Sequence, residues 1–257
     1  MTFYFTVVAG LLGLVIGSFL NVVAYRVPIG KSVVSPASAC PGCGHAIRWY
    51  DNIPVVSWLV LRGRCRDCGA RISARYPIVE AATGALFAAT YLVVGPVWVL
   101  PAYLLFAGTT MVLVLTDLDH KRIPNRILYP ATLAAVLLLT AGAAADGTVV
   151  DVPRAVAGGG IYFGLLLLIA LAARGGFGMG DVKLSFLLGT FLAFQSWKTM
   201  WSGIFLAFLL GGLVSLLLLV TRRKGRKDAI AFGPPLIVGA WAAISWGHEL
   251  VTWYIGQ

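Results

Sequence analysis

Two aspartates stand out because so little acid surrounds them: Asp and Glu together number 10 in 257 residues. Asp117 closes one apolar stretch, and Asp181 follows Gly178-Met179-Gly180 and opens another. Ionisable groups at the edge of apolar segments are costly to keep there and are functional candidates by default. Two carboxylates, one protonated and one ionised, can hold a water between them. They take its proton as it attacks an amide carbonyl and protonate the departing amine, which is aspartic-protease chemistry. The glycines beside Asp181 would let backbone approach a substrate closely and permit a break in helix beside a cavity. Purely structural readings stand next to this one, with Asp181 as a helix cap and Asp117 paired to Lys121 or Arg122. Asp146, Asp151, Asp228 and Glu249 are read as solvated or headgroup-level groups. No serine-hydrolase signature accompanies His45, His120 or His248.

A second chemical signature lies in the one large polar insertion. All four cysteines fall there, as Cys40-Pro-Gly-Cys43-Gly and Cys65-Arg-Asp-Cys68-Gly. Two CxxC turns, each followed by glycine, present four thiolates to a tetrahedral ion. With every position filled by sulfur the ion is expected to be structural zinc, held by Cys40, Cys43, Cys65 and Cys68. His45, just beyond the first turn, is then surplus. The same insertion carries Tyr50-Asp51-Asn52-Ile53-Pro54 and the apolar run 55–61, which suits a metal-stapled module lying against a membrane.

The elements that must position these groups are membrane helices. The chain is 59% hydrophobic and 12% charged, with a mean hydropathy of +0.88, too apolar for an ordinary soluble domain. Windows of about 20 apolar residues, enough to cross ~30 Å of hydrocarbon, recur at 3–25, 77–95, 97–116, 127–145, 155–173, 182–196, 199–220 and 233–254. The expected fold is an all-α polytopic membrane protein of about eight transmembrane helices with a small cytoplasmic zinc-binding insertion. The sixth window is short enough to be re-entrant. The first is too long for a signal peptide and lacks a basic start, so it is expected to remain in the mature protein.

Lys and Arg number 20, and 18 of them fall in the connections after the first, third, fifth and seventh windows, with Lys183 counted at the edge of the sixth window; only Arg154 and Lys198 fall in the others. The positive-inside rule then puts the cysteine insertion in the cytoplasm and both termini outside. A reducing compartment also argues against the rival reading of two disulfides. The basic run Arg222, Arg223, Lys224, Arg226 and Lys227 is expected to meet anionic membrane lipids, and no nucleic-acid partner is expected. The implied domains are a first transmembrane helix (1–27), the four-cysteine zinc-binding insertion (28–76) and a helical bundle carrying the aspartates (77–257). Gly13 with Gly17, and Gly160 with Gly164, have the spacing for close helix packing in lipid.

At this point the chain resembles the type IV prepilin peptidases, bifunctional leader peptidases and N-methyltransferases. The matching residues are Gly17-Ser18-Phe19-Leu20-Asn21-Val22-Val23 with Tyr25-Arg26, both CxxC turns, Tyr50 to Pro54, Ser57-Trp58-Leu59, Arg75-Tyr76-Pro77 and Glu80. They continue through Asp117-Leu118-Asp119, Ile123-Pro124-Asn125, Gly178-Met179-Gly180-Asp181-Val182-Lys183-Leu184 and Phe232-Gly233-Pro234. Asn125 and Pro235 depart from residues common in the family, Asp and Phe respectively. The resemblance implies that Asp117 and Asp181 are the catalytic pair of a GxGD intramembrane-type aspartic protease of the bacterial inner membrane. Asp119 is the alternative to Asp117; the two lie about 200° apart on a helix, so only one can readily face Asp181.

By the same resemblance the substrates are pilin-like precursors of type IV pilus or type II secretion systems. Each has a short basic leader before an apolar helix and is cut after glycine at the cytoplasmic edge. The family then methylates the new amino terminus from S-adenosylmethionine. No glycine-rich nucleotide loop after a strand is visible for that cofactor, and Asp51, Asn52 and Glu80 are the nearby polar candidates. Two other classes compete: a transporter with the aspartates on an ion path, and a non-catalytic secretion scaffold. Transport would want acidic groups nearer the midplane.

Overall fold

The computed structural model describes residues 1–172, 178–221 and 232–255, with side chains described to 246. Arg174, the basic run 222–227, Asp228 and the side chains of His248 and Glu249 lie outside the described residues. The described chain is helical: α1 (Thr2–Arg26), a 3-10 turn η1 (Trp49–Asn52), the short α2 (Val56–Val60), α3 (Arg75–Val94), α4 (Leu100–His120), α5 (Asn125–Asp146), α6 (Asp151–Ala172), α7 (Met179–Gln195), α8 (Trp197–Val220) and α9 (Gly233–Ile255). Helices satisfy their own backbone hydrogen bonds, which lipid cannot do for them. Six of them, α1, α3, α4, α5, α6 and α8, are long and apolar enough to cross a membrane. The other two long helices are α7 and α9. α7 has 17 residues, about 26 Å at 1.5 Å per residue, and most of Asp181 to Phe194 is buried, so it runs inside protein and need not match the bilayer.

The chain divides into two units, Met1–Pro96 with Leu104–Val112, and Val97–Tyr103 with the residues from Leu113 onward. In the first, α1 lies directly on α3. A Cβ at Gly13 would stand 2.7 Å from the Thr83 carbonyl oxygen and one at Gly17 would stand 2.8 Å from Glu80 Cα, so the expected small-residue pair does bring two backbones together. Asn21 Nδ2 donates across that seam to the Tyr76 carbonyl, 3.3 Å away. Between these helices the insertion folds as two copies of one turn. Cys40 N–H donates to the His45 carbonyl and Cys65 N–H to that of Ala70; Gly44 and Gly69 N–H groups return to the Cys40 and Cys65 carbonyls. Both glycines sit at φ near +70°, which explains why glycine follows each CxxC.

In the second unit α7 is the central helix, covered by α6, α8 and α9. The expected Gly160 and Gly164 pair is not the packing surface, since a Cβ at either meets open space. Gly158 and Gly159 take that role, fitting against Ala193 and Thr190 of α7. Gly158 lies two residues, or 200°, from Gly160 and so on the other side of α6.

Asp146 and Asp151, two of the acids expected to be solvated or at headgroup level, have structural roles instead. Asp146 ends α5, and its two carboxylate oxygens accept the N–H groups of Trp98 and Val99 at 3.0 Å each, before α4 begins. Asp151 pairs with Arg154 at 2.9 Å. Arg154 also donates to the carbonyls of Ala193, Phe194 and Gln195, satisfying groups that the end of α7 would otherwise leave unpaired.

Candidate functional site: a carboxylate pair and a four-thiol cluster

Asp117 lies in the last turn of α4, which runs four residues beyond the expected end at 116. It stops where Lys121 turns left-handed (φ 51°) and donates its N–H to the Asp117 carbonyl. Since the helix continues that far, Asp117 and Asp119 point apart: Asp117 is 5% exposed, whereas Asp119 is exposed. Asp181 lies in the first turn of α7, which starts at Met179, three residues earlier than expected, and it is 8% exposed.

The two carboxylates meet at Gly233, the first residue of α9. Gly233 N–H donates to Asp117 Oδ2 at 3.1 Å. A Cβ on Gly233 would stand 2.8 Å from Asp117 Oδ2 and 3.5 Å from Asp181 Oδ1, so both acids flank the one spot that glycine leaves clear. Backbone accounting explains the donor. Pro234 and Pro235 have no N–H, and Leu236 N–H returns to the Phe232 carbonyl, which leaves Gly233 as the first-turn group free to reach another helix.

The other glycines serve the same geometry. A Cβ at Gly178 would stand 2.8 Å from Asp181 Oδ2, and one at Gly180 would stand 3.0 Å from Ile123 Cβ. They make room for the carboxylate itself and for the Ile123-Pro124-Asn125 turn. Lys183 lies on the same first turns of α7; its ammonium donates to Asn125 Oδ1 at 3.3 Å and lies over the Tyr129 ring. Sequence reasoning met Gly233 and Ile123 only within family motifs, without their contacts, and passed over Tyr162. The Tyr162 hydroxyl of α6 is 1% exposed and has no hydrogen-bond partner among the described residues. The visible signal was a lone phenol in the apolar stretch of α6 that follows Arg154.

The four cysteine sulfurs lie within 4.8 Å of one another, and Cys40 Sγ to Cys68 Sγ is 3.8 Å. A tetrahedron with Zn–S bonds of about 2.3 Å has edges of about 3.8 Å, whereas a disulfide needs about 2.05 Å. All four cysteines are free, and the donor set fits one four-coordinate metal ion. The N–H groups of Gly42 and Cys43 bring the Cys40 thiol down to about 7. His45 supplies only its backbone to the turn.

Asp51, Asn52 and Glu80 have separate surroundings. Asp51 is clamped by Arg66 through Nε at 3.0 Å and the terminal nitrogen at 2.7 Å; this hydrogen-bonded pair holds its carboxyl below the usual range. Asn52 is exposed. Glu80 is buried in α3 and accepts the N–H of Val55 at 2.7 Å, fixing a valine at φ 62°.

Comparison with known proteins identifies the family. Residues 11–94 match the bacterial peptidase A24 N-terminal domain, and residues 104–218 match the type IV leader peptidase family. A protein of Aeromonas hydrophila named prepilin leader peptidase/N-methyltransferase is 34% identical, the alignment covering 98% of this chain and 94% of the relative. Proteins of the same name from Myxococcus xanthus (36%, covering 92% of this chain and 72% of the relative) and Bacillus subtilis (32%, covering 95% of each) are also similar. No solved structure matches. Carboxylates, cysteines and the helices that carry them thus fall within matched stretches, and the chain belongs to the type IV leader peptidase family.

Proposed function

We propose that this enzyme cleaves the basic leader from pilin-like precursors, with Asp117 and Asp181 as the catalytic pair of an aspartic endopeptidase. The observation that carries the reading is the approach of two buried carboxylates from α4 and α7 to the same face of Gly233. In the reaction, water oxygen attacks the scissile carbonyl carbon while the ionised carboxylate takes its proton. The protonated partner donates to the carbonyl oxygen, and the departing nitrogen then receives a proton as the C–N bond breaks. Gly233 N–H, donating to Asp117 Oδ2, holds that carboxylate in place. Glycine at 233 lets both carboxylates come this close to the start of α9, where any side chain would crowd Asp117.

The remaining assignments follow the family. The insertion is a cytoplasmic structural zinc module held by Cys40, Cys43, Cys65 and Cys68, between the first transmembrane helix (1–27) and the peptidase bundle (77–257). The 18 Lys and Arg in the odd-numbered connections support that orientation in the bacterial inner membrane, in which the carboxylates would lie at its cytoplasmic edge. A precursor whose apolar helix lies in the bilayer would deliver its leader junction to that level. A second activity, N-methylation of the new amino terminus, would draw its methyl group from S-adenosylmethionine.

Incubation of purified protein with a pilin-like precursor, followed by mass measurement of the product amino terminus, reports cleavage and an added methyl group together. Asp117→Asn and Asp181→Asn should each abolish cleavage in a folded protein, while Asp119→Asn should retain it. Cleavage surviving in either of the first two variants overturns the aspartic mechanism.

A further inference from the structure

The zinc-module segment has a helix face that the rest of its unit leaves uncovered. α2 is only five residues long, yet Val56, Leu59 and Val60, at i, i+3 and i+4 on one side, are 53%, 61% and 70% exposed. The opposite side is fastened inward, with Ser57 Oγ donating to the Tyr50 carbonyl at 2.9 Å and Trp58 Nε1 to that of Ile72 at 3.1 Å. Through Tyr50 the 3-10 turn η1 joins α2, and it adds Trp49, also exposed. Exposed aliphatic side chains grouped on one helix face beside a tryptophan mark a protein or membrane contact.

Charge says which partner. Residues 28–74 contain Lys31, Arg48, Arg62, Arg64, Arg66 and Arg71 against Asp51 and Asp67. Both acids are taken, Asp51 by Arg66 and Asp67 by Arg48. Lys31, Arg62, Arg64 and Arg71 are exposed with no acid partner among the described residues, and Arg62 and Arg64 follow α2 directly. The segment is tethered at both ends to helices long and apolar enough to span a membrane, α1 and α3. Aliphatic and Trp side chains beside unpaired arginines match the depth order of a bilayer surface, acyl boundary first and phosphate above it. A basic peptide would meet like charge here.

We propose that the Val56, Leu59 and Val60 face of α2 docks into an anionic lipid surface, with Arg62 and Arg64 on the phosphates. The module is then held at the membrane by lipid as well as by its two tethers. Each cation near such a surface contributes about fivefold in association, so the pair gives the contact its lipid dependence.

The test uses the full chain with a photo-reactive benzophenone side chain in place of Leu59, in nanodiscs of phosphatidylcholine alone or with about 30% phosphatidylglycerol. Irradiation followed by mass spectrometry should give lipid adducts at position 59 that rise several-fold with phosphatidylglycerol. In the Arg62→Gln, Arg64→Gln background they should fall back to the phosphatidylcholine level. Absence of lipid adducts, equal adducts in both compositions, or adducts to a second protein chain overturn the proposal. Metal content measured in parallel identifies a misfolded variant, in which case the two-composition comparison on the chain with both arginines intact still decides.

Discussion

Gly233→Ala isolates the spot where the two carboxylates meet. No positive φ requires glycine at this position, and alanine is the better helix former by up to about 1 kcal/mol, so the backbone accepts the change. The new methyl would stand 2.8 Å from Asp117 Oδ2 and 3.3 Å from Asp117 Cγ, inside ordinary contact distance, and 3.5 Å from Asp181 Oδ1. To relieve this, the Asp117 carboxylate must move by roughly 0.5–1 Å, because atoms at such separations repel steeply. That move also stretches the 3.1 Å bond from Gly233 N–H. A misplacement near 1 Å costs about 100-fold in rate, or about 2.7 kcal/mol of transition-state stabilisation. Single-turnover cleavage of a labelled precursor in detergent should therefore fall 10- to 100-fold while thermal unfolding stays within a few degrees. Gly160→Ala and Gly212→Ala, whose methyl groups would enter open space, serve as controls at full rate. Cleavage by Gly233→Ala within twofold of the parent would refute the reasoning.

Other outcomes can be checked separately. Arg154→Gln removes three bonds to the end of α7 and the pair with Asp151, and should lower stability by about 2 kcal/mol, read as reduced denaturation resistance in detergent. Cys40→Ser should abolish stoichiometric zinc and expose the remaining thiols to alkylation; free alkylation in the native parent would defeat the metal assignment. Tyr162→Phe breaks no bond among the described residues and should leave stability equal or slightly higher; a clear loss would mean that its hydroxyl has a partner. Arg66 depresses the folded pKa of Asp51, so their pair contributes its stability above the ordinary carboxylate value of about 3.9 and loses it as pH falls through the lower folded value. The protease resistance of the parent insertion over Asp51→Asn should thus hold from pH 8 to about 5 and close below about 4.

Helix identity was legible because lipid demands long apolar runs, and the cysteine cluster was legible because a tetrahedral ion demands paired thiols. Helix ends were less so. Hydropathy stops at Thr116, whereas α4 continues through Asp117 and Asp119 until Lys121 turns left-handed. Gly178-Met179-Gly180 has the composition of a loop, yet Met179 already belongs to α7 because Gly178 and Gly180 are fixed by what touches them, Asp181 and Ile123. Contacts between distant residues left no local trace: Arg154 at the end of α7, Asp146 beneath Trp98 and Val99, and Gly233 against Asp117. The tilt of α6 that selects Gly158 and Gly159 over Gly160 and Gly164 depends on the shape of α7, which periodicity in α6 does not carry.

The last turn of α4 and the first turn of α7 reach the same glycine with α5 and α6 between them. An even number of crossings is the condition for those two turns to share a side, so parity constrains how this architecture could be rearranged. A hairpin of two helices could be exchanged or lengthened without moving either aspartate to the wrong face, whereas a single added span would strand one. The connection at 147–150 lies at the far end of that hairpin. Two fragments divided there and produced in one cell should therefore find each other in the bilayer and regain cleavage, with α6 guided by its fit to α7.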